Sequence, residues 1–117
     1  MPESARQFYA MTYGVDQLWA KVAESGQLVR FNYRVLDAAK AAPLNDRAST
    51  PYMFDEQVHA VLQVPTMEKV GPLRQAMPPE NGKSYWIVFS NKGNLVKAGH
   101  RVSVAIGQFR VDGLIVQ

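Results

Sequence analysis

Between Gln27 and Asp37 the chain reads QLVRFNYRVLD. Val29, Phe31, Tyr33 and Val35 fall on one parity, and Arg30, Asn32 and Arg34 on the other. Successive side chains of a strand point to opposite faces, so this pattern predicts a half-buried strand with an apolar face and a basic-polar face. Gly26 marks the turn before it. Asp37-Ala-Ala-Lys-Ala-Ala behind it is poor strand sequence and reads as one helical turn capped by Asp37.

The same alternation organises the rest of the chain. Phe8 to Tyr13 (FYAMTY) reads as a short aromatic strand ended by Gly14. Val15 to Glu24 suits either a strand or a helix. The strand is favoured, because Glu24-Ser25-Gly26-Gln27 then closes a hairpin into the central strand. Asn45 to Pro51 is a polar loop. Pro51 to Phe54 and Val58 to Val64 predict a hairpin around Asp55-Glu56-Gln57, whose carboxylates read as a solvated tip. Thr66 to Gln75, broken by Gly71-Pro72, predicts extended chain along a sheet edge, and Ala76 to Gly82 a surface turn. Ser84 to Phe89 is apolar on both parities, as in a strand covered on both faces. Arg101 to Ile106 alternates again. After Phe109 and Val111 the apolar parity changes at Asp112-Gly113, which marks a bulge or a tight turn.

About seven to nine short strands with almost no helix make an all-β domain, an antiparallel β-sandwich or a small OB-like β-barrel. It spans residues 1–117, with 1–5 loose at the start. No repeat or second domain is visible.

Composition narrows the classes of function. There is no cysteine, which excludes disulfides, thiolate metal sites and cysteine nucleophiles. The longest apolar run, Tyr85 to Phe89, falls far short of the ~20 residues a spanning helix needs, so no membrane insertion is expected. The N-terminus MPESARQFYA has no apolar signal-peptide core. The net charge of +3 is mild and unclustered, which speaks against a nucleic-acid partner.

The segments FNYRVLDAAKA, PYMFDE, VPTMEKVGPLRQ, GKSYWIVFSNKGNLVKAGHRVSVAIG and FRVDGLIVQ resemble, over Asp16 to Gln117, a group of uncharacterised exported bacterial proteins. Val96 to Val104 (VKAGHRVSV) is similar to the V-K-P-G-D-x-V-x-V approach to a late strand in extracellular sandwich domains, with Ala98 in place of Pro and His100 in place of Asp. The resemblance implies an immunoglobulin-like sandwich in a periplasmic or extracellular location, the chain being a mature export product; a cytoplasmic location is the alternative. It carries over no catalytic residue.

Candidate chemistry is sparse. His59 and His100, with Met53, Met67 and Met77, make a soft nitrogen and thioether set of the kind copper takes. No His-x-Met or Met-x-x-Met spacing pre-organises it, and the stronger reading has no cofactor. A Ser-His-Asp set assembles on paper from Ser84 or Ser103, His59 or His100, and Asp37 or Asp112, yet no Gly-x-Ser-x-Gly elbow marks a nucleophile. Asn45-Asp46 with Asp55-Glu56 offers a loose calcium cup. No enzyme is expected.

The polar parity of the central strand is the most informative surface. Arg30, Asn32 and Arg34 stand in a row, with Trp86 as an exposed aromatic elsewhere in the chain. Residues i and i+2 of a strand lie roughly 6–7 Å apart, so two guanidinium groups there can address one acidic surface together. Arg, Tyr and Trp are enriched at binding hot spots. A strand ending at Gln117 also offers an edge for a partner's strand. The expected function is therefore a non-catalytic exported accessory, structural or protein-interaction module, binding another protein or itself as a component of a larger assembly. The alternatives are a periplasmic copper-binding module and an OB-like binder of single-stranded nucleic acid.

Overall fold

A computed structural model describes residues 1–65, 74–75 and 77–117. Its strands are β1 (Val15–Ala23), β2 (Leu28–Val35), β3 (Pro51–Asp55), β4 (Ala60–Gln63), β5 (Ser84–Ser90), β6 (Arg101–Ile106) and β7 (Phe109–Ile115). They pair antiparallel in two sheets, ordered β1-β2-β5 and β4-β3-β6-β7. The first, second and fifth strands thus face the third, fourth, sixth and seventh. This is the immunoglobulin-like division, with the fourth strand carried on the sheet that holds the third, sixth and seventh. The OB-like barrel is not formed, because the strands divide between two sheets.

One face of each sheet fills the core. Val29, Phe31, Tyr33 and Val35 meet Ile87 and Phe89 from their own sheet and Val102, Val104 and Ile106 from the other, and all nine are buried. The parity change at Asp112-Gly113 is a bulge inside β7: Val102 pairs Leu114 and Val104 pairs Val111, so β7 spends one more residue than β6. Gly113 takes the extra residue at φ 72°, in the left-handed region.

The N-terminal aromatic segment is a helix, not a strand. Here α1 runs Glu3–Tyr13, with Glu3 in its first turn and Gly14 ending it at φ 64°. The aromatic residues repeat at four rather than two: Tyr9 and Tyr13 stack on one side of the helix, 6.3 Å between centroids, and Tyr13 meets Phe109 edge-on at 4.9 Å. Reading from Phe8 alone hides the helix-favouring Glu3 to Gln7 that precedes it. The start is correspondingly less loose than its sequence suggests, since Ala5 packs against the core.

Asp37 does cap a helix, accepting from the amides of Ala39 and Lys40 at 3.1 and 3.4 Å. The helix, α2 (Ala38–Asn45), is longer than the predicted single turn. Asn45 at its end accepts the Tyr33 hydroxyl at 2.6 Å inside the core. Burial pushes the Tyr33 pKa upward, so that hydroxyl stays a donor.

One further difference bears on function. The C-terminal strand leaves no open edge at its end: Gln117 N donates to Ala20 O and Val22 N donates to Gln117 O, both at 2.9 Å. Those bonds tie the two sheets together along β1. Of the segment expected to run along a sheet edge, residues 66–73 lie outside the described residues, as does Ala76. Arg74 and Gln75 do follow the edge of β5, Gln75 N donating to Trp86 O at 3.4 Å and Trp86 N to Gln75 Oε1 at 3.1 Å.

Candidate functional site

The outer face of β1-β2-β5 is laid out by register. One row across the strands is Trp19, Asn32, Trp86; the next is Lys21, Arg30, Val88; another is Asp16, Arg34, Ser84. Trp19 reaches this face only because β1 carries a bulge. Asp16 pairs Arg34 and Trp19 pairs Asn32, so β1 spends three steps where β2 spends two. Val15 and Trp19 share parity in the sequence, yet Val15 is wholly buried while Trp19 stands half-buried on the outside. Gln17, at φ 50°, absorbs the extra residue, and Asn32 Nδ2 donates to its carbonyl at 3.3 Å.

The predicted basic row is therefore not three equivalent polar groups. Asn32 is 7% exposed and serves the bulge. Arg34 is held by Asp16 in a two-point contact, Nε to Oδ1 at 2.8 Å and Nη2 to Oδ2 at 2.6 Å. The hydrogen bond and charge of Asp16 raise the Arg34 pKa and neutralise the pair. Arg30 is different. It is exposed, and its Cζ lies 5.8 Å from the Trp19 ring centroid and 5.2 Å from that of Trp86. A guanidinium within about 6 Å of an indole face is attracted by the ring quadrupole, worth roughly 0.5–1 kcal/mol at an exposed site. Two such rings hold Arg30 upright over the sheet. Among the described residues neither Arg30 nor its cross-strand neighbour Lys21 forms an ion pair.

Trp86, expected to be exposed, stands half-buried on this face, whereas Tyr85 beside it in sequence is 2% exposed and belongs to the core. Only the bulge turns Trp19 outward. Beside that bulge a cleft of about 370 Å³ opens, with Arg6, Gln17 and Trp19 on its walls.

Among the described residues the metal set does not assemble. Met53 is wholly buried on the core face, paired across the ladders with Leu62 and Val104. His59 is exposed in the turn before β4, and Met77 is exposed; Met67 lies outside the described residues. His100 has another partner altogether: its Nδ1 lies 2.7 Å from Oδ2 of Asp55. The Asp55 side chain is fully buried, so Asp55-Glu56 is not a solvated tip and offers no calcium cup with Asn45, whose amide serves Tyr33 and Gln75 O. The acid beside His100 is thus Asp55, not the expected Asp37 or Asp112. Its signal was present: Asp55 continues the buried parity of Pro51 and Met53. No serine stands on this pair. Asp112 takes Arg110 Nε at 2.9 Å, and the Ser103 side chain lowers its pKa.

No family model, no curated protein and no solved structure matches this chain.

Proposed function

We propose that the protein is a non-catalytic binding module, an accessory or structural component of a larger assembly, that engages another protein through the outer face of β1-β2-β5. One observation carries this reading: Trp19, Arg30 and Trp86 form a continuous aromatic-cation cluster on an exposed sheet face. These residue types dominate the energetics of protein interfaces, and here they span the face from β1 across β2 to β5. The register supports it, since three strands contribute to the cluster. An exported location belongs to the same proposal and rests on the resemblance of Asp16 to Gln117 to exported sandwich proteins; subcellular fractionation checks it.

The test is capture of a partner from the native extract, with sedimentation of the purified chain to detect self-association. Wild type is expected to associate, and a Trp19→Ala/Trp86→Ala variant with an unchanged melting profile is expected not to. A strictly monomeric wild type that captures nothing, or a double variant that associates normally, removes the proposal.

A further inference from the structure

We infer that Lys21 and Arg30 form a carboxylate-binding site, and that its occupant is an acidic segment of the partner protein. This rests on the proposed binding role of the β1-β2-β5 face and gives that face its ligand chemistry.

The register makes the case. Lys21 and Arg30 are directly opposite one another on β1 and β2. Side chains so paired have Cβ atoms about 4.5–5.5 Å apart, and two like charges in that arrangement destabilise a sheet. Among the described residues no carboxylate offsets either cation. Arg34, four residues further along β2, shows what this sheet does with a guanidinium that is only structural: it sets Asp16 opposite and closes both hydrogen bonds. At Lys21 and Arg30 no matching acid stands on the face among the described residues, and a ligand supplies it.

Geometry then selects the ligand. The Trp19 and Trp86 rings hold Arg30 between them, which fixes the side chain before anything binds and lowers the ordering cost of binding. With no ion pair among the described residues, the Arg30 guanidinium keeps its N–H donors for a ligand. A carboxylate takes two of those donors in its own plane, and the Lys21 ammonium adds a third donor from the side. Val88 completes the row on β5, so an apolar residue next to the acid has a surface to lie on. Two free cations suit a few protein carboxylates. A phosphate polymer draws its affinity from many neutralised charges, which this face does not offer.

Trp19 and Trp86 are the two tryptophans of the chain, so its indole fluorescence reports on this site alone. The experiment titrates the full chain with a Glu-Leu repeat peptide, its Gln-Leu counterpart, a heparin fragment and an oligouridylate. The Glu-Leu peptide is expected to give a saturable emission change that salt weakens, and the Gln-Leu peptide none. Arg30→Gln and Lys21→Gln should each weaken the response about tenfold or more. Arg30→Lys, which keeps the charge but not the fork, should fall between, and the joint change Asp16→Asn with Arg34→Gln should leave binding intact. No response to the Glu-Leu peptide, an equal response to Gln-Leu, an undiminished response in folded Arg30→Gln, or tighter binding of heparin or oligouridylate overturns the inference. A partner captured through the tryptophan face that an Arg30→Gln/Lys21→Gln variant retains sinks the carboxylate site and leaves the binding face standing. A partner retained by Trp19→Ala/Trp86→Ala sinks both.

Discussion

Asp16 and Arg34 face each other across β1 and β2 and close two hydrogen bonds, at 2.8 and 2.6 Å. The pair removes one of the two arginines of the central strand from the set available to a partner. It also fixes the last register position of β1 before the bulge that turns Trp19 outward.

Replacing either member should therefore cost stability rather than binding. The side chains are 37% and 27% exposed, and pairs of this exposure are typically worth no more than about 1 kcal/mol. A double-mutant cycle of Asp16→Asn and Arg34→Gln by denaturant unfolding should give a coupling of that size, reduced at high salt. A coupling near zero would mean that the pair is incidental to the register.

How far the sequence carries depends on where the parity is kept. From Val29 to Val35 every apolar residue keeps one parity, and the strand, its buried face and its outward face were legible together. Asp112-Gly113 was legible as a break because the parity changes at a glycine. The identical change between Val15 and Ala20 was not, since the extra residue there is Gln17, whose left-handed backbone no residue type announces. The fate of Trp19, and so half of the candidate site, hung on that residue. Arg34 and Asp16 are 18 apart in sequence, and their pairing needs the register of the bulged hairpin. Asp55 and His100 are 45 apart, joined by packing that no local spacing records. The helix α1 was missed for a local reason: aromatic residues favour strands, and Tyr9 and Tyr13 outweighed the helix formers before them.

Gly14 joins α1 to β1 in a space that admits no side chain. Its φ is 64°, and an added Cβ would stand 2.7 Å from the carbonyl oxygen of Asp37. Its own carbonyl accepts the amides of Leu36 and Asp37, at 2.7 and 3.1 Å. Gly14→Ala combines backbone strain with a clash against backbone, and should cost about 1–3 kcal/mol in thermal or denaturant unfolding. A neutral outcome would mean that the α1 junction can shift without loss.

Asp112 gives stability a dependence on acid pH. The Ser103 hydroxyl and the Arg110 guanidinium bond its carboxylate and lower its pKa against the opposing effect of partial burial. A carboxyl whose folded pKa is depressed contributes fully above its unfolded value, near pH 4, and loses that contribution as pH falls through the folded value. The side chain is 59% exposed, so the contribution is small. Melting midpoints of wild type and Asp112→Asn should differ at neutral pH and converge in strong acid. A difference that does not shrink with acidification would assign the effect to something other than the charge.

The buried carboxylate of Asp55 depends on His100. Asp55 has no exposed side-chain surface, and His100 Nδ1 stands 2.7 Å from its Oδ2. The same Nδ1 stands 3.4 Å from the Lys97 amide nitrogen. The remaining contact of the carboxylate is local: Oδ1 takes the Gln57 amide at 2.9 Å and forms the turn between β3 and β4. His100→Ala would strand a buried acid with only that turn bond and should cost roughly 2–4 kcal/mol, because an unpaired buried charge loses its solvation without recompense. His100→Asn, which restores a donor near the same position, should recover part of the loss. Asp55→Asn removes the charge and keeps the turn acceptor, so it should cost less than His100→Ala. Denaturant unfolding of the three variants orders these costs. If His100→Ala proves the mildest of the three, the pair is not what keeps Asp55 in the core, and water reaching the carboxylate from the His100 side would have to satisfy it instead.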